Sequence, residues 1–240
     1  MVLGLSLGRS AVYSVLSLAD KLTKEVPLAQ QTTSINTSAT PERPWLDLAY
    51  QLANLVFPLM PVALVFYLMW VWQRPHGGPF RRMGFDLRRP GFDLGVGSLV
   101  FAGIGAGGIL LYLAARELGF NTTVAAANLA EAWWTIPVLV LRAVMNGVLE
   151  EVVMVGYLFT RWRQAGGRTA TVLVGSALIR GAYHLYQGFG GFAGNLIMGL
   201  LFGWLYLRTK RVMPLVVVHS LLDIAAFVGY ALLKPHLSWL

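Results

Sequence analysis

Residues 133–157, WWTIPVLVLRAVMNGVLEEVVMVGY, decide how the rest of the chain is read. The run is apolar and longer than the roughly 20 residues a helix needs to cross a bilayer. Yet it carries two adjacent glutamates, Glu150 and Glu151, well inside its apolar part. An ionisable side chain at bilayer depth costs about 2.5–3.5 kcal/mol on insertion scales, so a membrane helix that keeps two carboxylates is a functional candidate. Five further runs share its character: 48–72, 92–113, 170–187, 189–207 and 213–233. The first contains Pro58 and Pro61 and should kink. The second holds six glycines between Gly95 and Gly108, which permits close helix approach. The run 170–187, fourth of the six in chain order, is short and interrupted by Arg180 and His184. The expected fold class is therefore all-α, a polytopic transmembrane helix bundle of about six spans.

Composition agrees. Of 240 residues, 56% are apolar and only 12% charged, half the roughly 25% usual in soluble domains, and the mean hydropathy is +0.61. A water-soluble globule and a disordered chain are both excluded. The absence of cysteine excludes a disulfide framework, a thiolate metal site and a cysteine nucleophile. The net charge of +8 belongs to loops that set orientation; no basic stretch interleaved with aromatics suggests nucleic acid as a partner. Arg74, Arg81, Arg82, Arg88 and Arg89 crowd the first loop, Arg116 stands alone in the second, and Arg161, Arg163 and Arg168 follow in the third. The fourth has no basic residue, the fifth has Arg208, Lys210 and Arg211, and only Lys234 follows the last run. This alternation puts the first, third and fifth loops in the cytoplasm and both termini outside. Arg9, Lys21, Lys24 and Arg43 in the tail run mildly against it.

Residues 1–45 form a separate N-terminal part. Residues 2–22 read as an amphipathic helix lying at the membrane interface, without the basic start and small-residue cleavage site of a signal peptide. Residues 29–44 read as a polar linker, and 46–240 as the transmembrane domain. His76 and His236 fall in loop or tail and are read as inert, and Trp133, Trp134, Trp204 and Trp239 as interface anchors. The glycine-rich stretch 188–199 reads as close helix packing, with Asn195 a candidate to line a cavity.

Most acidic residues sit in loops or at span ends; Glu150, Glu151 and Asp223 do not. Arg180, His184 and His219 are buried in apolar runs in the same way. Arg142 lies toward an outer end, where a long side chain snorkels. Left unpaired, the other six would cost on the order of 15 kcal/mol, so they are expected to face one another or a water-filled cavity. His219 and Asp223 are four apart and share a helix face, a spacing at which a carboxylate orients an imidazole. Arg180 and His184 have the same spacing. Glu150 and Glu151 point about 100° apart, so one of them is expected to aim at a central site and the other to find a separate partner. A carboxylate in this setting suits a general base that activates water. By rise along the helix, His219 lies about 8 Å, Glu151 about 15 Å and His184 about 22 Å from the cytoplasmic ends of their runs. For all three to meet, the fourth run must tilt strongly or begin nearer Val174.

The segments NGVLEEVVMVGYL, RGAYHLYQGFGG and VVVHSLLD, in this order across about 133–230, resemble the CPBP intramembrane proteases, the superfamily that includes the type II CAAX prenyl endopeptidases. Their pattern is Glu-Glu with Arg four positions after the second Glu, then Phe-x-x-x-His, then His-x-x-x-Asn/Asp. Glu150 and Glu151 match the pair, His184 the first histidine, and His219 and Asp223 the last motif. The resemblance implies an intramembrane endopeptidase of glutamic type with no obligatory cofactor or metal. Glu150 or Glu151 would activate water, His184 would help position it, and His219 with Asp223 would stabilise the oxyanion. Its partners would be a membrane-embedded protein or peptide substrate and the lipid bilayer; its compact bundle fits a prokaryotic plasma membrane. Two positions depart from the pattern: Val155 replaces the Arg, and Arg180 stands where the Phe is expected. Arg180 is read as supplying the missing charge to Glu151 from the next span, with Asn195 in support. Two alternatives stay open. One is a non-catalytic scaffold or immunity-type protein of the same fold, and the other a metal-dependent membrane hydrolase using the same Glu and His side chains.

Overall fold

The computed structural model describes residues 1–72 and 78–236. Arg74, His76 and Trp239 lie outside the described residues. The N-terminal part holds α1 (Val2–Leu5) and α2 (Leu7–Leu22). Next come α3 (Pro44–Val56), α4 (Met60–Trp72), the short α5 (Pro79–Met83) and the long α6 (Pro90–Glu117). The second half contains α7 (Thr135–Glu150), a π-helical turn (Glu151–Tyr157), α8 (Leu158–Gln164), α9 (Thr169–Ala182), α10 (Phe189–Thr209) and α11 (Met213–Leu233). Prolines open α3, α5 and α6, where a missing N–H costs nothing. At Pro58 the backbone tightens into a 3-10 turn (Phe57–Leu59) between α3 and α4, the break that the two prolines predict.

Among the described residues, four helices are long and apolar enough to cross a bilayer: Pro44–Trp72, Pro90–Glu117, Phe189–Thr209 and Met213–Leu233. They correspond to four of the six expected runs. The run at 133–157 is continuous helical backbone from α7 through the π turn into α8, interrupted in type but not in path. The run at 170–187 differs. Its helix starts at Thr169, not near Val174, and stops at Ala182 after 14 residues, about 21 Å at the usual rise, short of a hydrocarbon core of about 30 Å. Since lipid is as apolar as leucine, contacts between these helices depend on close fit more than on exclusion of water. Two glycines show this fit. A Cβ on Gly147 of α7 would meet Ser220 Oγ at 2.8 Å and the Val216 carbonyl oxygen at 3.1 Å on α11, and one on Gly199 of α10 would meet Ala177 Cα of α9 at 2.8 Å. The core between the helices gathers Val65, Met69, Val152, Val155, Phe159, Phe202, Leu215 and Val218, while Leu99 and Leu110 on α6 face outward.

Helix α2 buries Leu7, Ser14 and Leu18 along one face against α9 and the turn that follows it, and it leaves Val12, Tyr13, Val15 and Leu16 exposed. Residues 29–44, although polar, carry strand β1 (Thr32–Ser34), which pairs in parallel with β2 (Thr123–Ala125) in the register Thr32↔Thr123. Beyond it, Asn36 is buried and accepts a hydrogen bond from Arg142 at 3.0 Å. Arg142 also donates to Gln51 of α3. It therefore does not snorkel, because polar partners are within reach inside the bundle. Trp133 and Trp204 are exposed, whereas Trp134 is buried in the core and is not an interface anchor.

Candidate active site

Four elements bring the ionisable residues together, the first being α7, which ends at Glu150. The π turn begins at Glu151, α9 contributes Arg180 near its end, and α11 contributes His219 and Asp223. A π turn inside a longer helix often accompanies a functional site, because it shifts the face on which the following residues lie. Glu151 is fully buried, and its Oε1 accepts hydrogen bonds from Arg180 at 2.6 Å and from His219 Nδ1 at 2.7 Å. Glu150 lies on the other side of the same groups: its Oε2 is 3.6 Å from Arg180 and 3.9 Å from His219 Nε2. The tyrosine hydroxyl of Tyr183 donates to that same Glu150 oxygen at 2.6 Å. The two glutamates thus converge on one histidine and one arginine, which corrects the expectation of separate partners. A branched cation and a two-nitrogen ring each span the angle between neighbouring side chains.

The site has two layers. Arg180, Glu151 and His219 are almost entirely inaccessible, whereas the Glu150 and Asp223 side chains keep 12% and 21% of their surface exposed. Asp223 Oδ1 is 3.9 Å from His219 Nε2, and its Oδ2 accepts a hydrogen bond from Asn146 of α7 at 2.9 Å. His184 is not on α9 beside Arg180. It follows the helix end, and its Nδ1 meets the Arg180 carbonyl at 3.0 Å, which holds the ring against the last turn. Its ring lies 4.7 Å from that of Tyr183 and 6.2 Å from that of Tyr186. Phe202 of α10 covers the Arg180 guanidinium from 5.2 Å, a contact that stabilises a desolvated cation.

Five of the seven site residues expected from sequence, Glu150, Glu151, Arg180, His219 and Asp223, meet directly, and His184 stands at their edge. Asn195 does not join them; its amide donates to the Gly191 carbonyl one turn back in α10. Val155 is buried in the core. Tyr183 and Asn146 were not singled out from sequence. A hydroxyl or amide near a span is common, and only the position of its partner, 33 or 77 residues away, makes it part of the site.

Glu150, Glu151 and His219 also bring one potential ligand atom each within 4.8 Å of one another. Against a divalent ion there stands the Arg180 guanidinium, bonded to one of those carboxylates; a fixed positive charge opposes a second cation on the same oxygen.

Long apolar helices around a buried Glu, His and Arg cluster define a multi-pass membrane protein with a polar site enclosed between its helices. Residues 132–225, the stretch that contains every member of that cluster, match the sequence family described as type II CAAX prenyl endopeptidase Rce1-like. The match covers well under half of the chain, and the similarity belongs to this stretch alone. No curated protein and no solved structure matches it.

Proposed function

We propose that the protein is an intramembrane endopeptidase that cleaves a peptide bond of a membrane-associated protein or peptide with water activated by Glu150. The observation that carries this reading is the division of labour between the paired glutamates. Glu151 is enclosed and committed to Arg180 and His219, while Glu150 keeps accessible surface beside the same histidine. Glu150 removes a proton from a water whose oxygen attacks the peptide carbonyl carbon, and that proton then passes to the leaving nitrogen as the C–N bond breaks. Glu151 fixes the orientation of His219 by accepting from Nδ1, which leaves Nε2 toward the accessible layer. His219, steadied by Asp223, stabilises the oxygen that gains charge, and His184 helps position the water. Arg180 supplies to Glu151 the charge that the family pattern draws from the position of Val155.

The metal-dependent reading draws support from the 4.8 Å grouping of Glu150, Glu151 and His219, and chelator sensitivity separates it from the glutamate mechanism. The test is mapping of protein N-termini in membranes of cells that make the native protein or its Glu150→Gln, Glu151→Gln variant. New termini near membrane spans, present only with the native protein and insensitive to chelator, are the expected result. Identical maps at equal abundance would leave a non-catalytic scaffold as the better reading.

A further inference from the structure

Helix α9 ends at Ala182, so the backbone that carries Tyr183 and His184 into α10 loses the regular hydrogen bonds of a helix. The carbonyls of such a segment need partners from elsewhere. Three of them find hydroxyl groups. Ser14 of α2 donates to the Tyr183 carbonyl at 2.8 Å in a buried contact. The Thr33 hydroxyl of β1 lies 3.2 Å from the Tyr186 carbonyl and 2.7 Å from the Thr122 hydroxyl, and its single proton serves these two acceptors in turn. Thr122 in turn donates to the Gln187 carbonyl through its hydroxyl at 3.0 Å and its amide at 2.9 Å. Ser14, Thr33 and Thr122 are each less than a tenth exposed. Two of the three come from the first 45 residues, outside the stretch that matches the protease family.

We infer that the N-terminal arm completes the site. Ser14 and Thr33 are positioning residues that hold the turn at 183–187, and with it the Tyr183 hydroxyl and the His184 ring, in register with Glu150. The inference rests on reading the cluster as a protease site. Its physical basis is that Tyr183 is fastened at both ends: its carbonyl to Ser14 and its hydroxyl to Glu150. Releasing the first lets the second drift, and a carboxylate that activates water loses rate when its geometry shifts by about 1 Å. The placement of Ser14 supports a positional role. It lies on the buried face of α2 between Leu7 and Leu18, where Ala would fill the same space without the bond.

The test uses the purified full chain in detergent. Labelling of histidines by diethyl pyrocarbonate, read by peptide mass spectrometry, reports how firmly His184 is held, with exposed His236, beyond the cluster in sequence, as the internal reference. Cleavage of a peptide whose hydrolysis depends on Glu150 reports the chemistry. In Ser14→Ala, labelling of His184 should rise several-fold relative to His236, with kcat down about tenfold, the loss of one buried hydrogen bond, and KM nearly unchanged. Thr33→Val should move both readouts the same way, and Ser14→Thr, which keeps the hydroxyl, should restore both. Ser10→Ala, on the exposed side of α2, should match the native chain. His184 labelling at the native rate in Ser14→Ala overturns the inference, and so does faster labelling with unchanged kcat. If the native chain shows no cleavage that depends on Glu150, the protease reading fails. The labelling arm then still decides whether the N-terminal arm holds the turn.

Discussion

Two enclosed arginines, Arg180 and Arg211, are coordinated in opposite ways. Arg211, in the loop between α10 and α11, spends its Nε and one terminal nitrogen on both oxygens of Asp93, at 2.7 and 2.6 Å. The same terminal nitrogen reaches the backbone and side-chain oxygens of Asp86, each at 3.0 Å. This fork-to-fork pair ties the start of α6 to the turn before α11, and its polar atoms are largely satisfied. Arg180 has one good bond to Glu151, while its other terminal nitrogen and the second Glu151 oxygen have no hydrogen-bond partner among the described residues. Buried polar groups in structural ion pairs are normally saturated, so unused bonding capacity at a buried cluster needs a functional explanation. On the proposed reading the difference separates a clamp from a site: Arg211 is spent on two carboxylates at the end of the bundle, whereas Arg180 and Glu151 form the enclosed layer behind the more accessible Glu150.

The most severe break in this comparison comes from Glu150. Glu150→Gln should lower cleavage by about 10²–10⁴-fold, the usual contribution of a general base, whereas Asp86→Asn should leave cleavage per folded molecule at the native level in the same assay. Arg211→Leu should behave in the reverse sense. Breaking a buried pair costs about 3–5 kcal/mol, seen as a lower midpoint in thermal unfolding, while the remaining folded enzyme cleaves normally. A cleavage defect in Arg211→Leu larger than the loss of folded protein would erase the distinction between clamp and site.

A smaller effect sharpens the role of Arg180. Val155→Arg alone places a second cation in a packed position and should destabilise the chain, and Arg180→Phe alone removes the partner of Glu151. Combined, the two substitutions restore the family pattern, and their coupling in a double-mutant cycle should be favourable by about 0.5–3 kcal/mol. Strict additivity would mean that the two positions do not serve the same carboxylate. The smallest effect is at the clamp. Burial favours the neutral form of Asp86, but the Arg88 amide and the Arg211 guanidinium outweigh it and hold its pKa below the ordinary value. A depressed carboxyl contributes stability above its unfolded pKa of about 3.9 and loses it as pH falls through the lower folded value. Stability should therefore decline below about pH 4, and Asp86→Asn should remove part of that acid-dependent loss.

Charge was the most legible feature of the site. Glu150, Glu151, Arg180, His219 and Asp223 stood out because each is expensive in an apolar run, and the structure brings these five into contact. His184 stood out for the same reason, but its place beyond the end of α9 did not. Apolar periodicity carries into the turn, and only the backbone shows where the helix stops. Tyr183, Asn146, Ser14 and Thr33 were silent because a neutral hydroxyl or amide costs too little to mark itself. Residues 29–44 were equally silent: their polarity suits a linker, yet it also suits a strand whose donors and acceptors find β2.

Composition and apolar run length sufficed for a helical membrane bundle, since the bilayer allows few other solutions to the hydrogen-bonding needs of its backbone. The anomalous charges were equally fixed by residue type and position. What they bond to was decided by helix crossings. Close approach of α7 to α11 at Gly147 and of α9 to α10 at Gly199 sets which side chains face each other. Those approaches let neighbouring glutamates share one histidine and one arginine, while packing of α2 against the end of α9 sets the N-terminal arm over the turn that carries His184. Contacts between residues tens of positions apart arise from packing, and no local pattern encodes them.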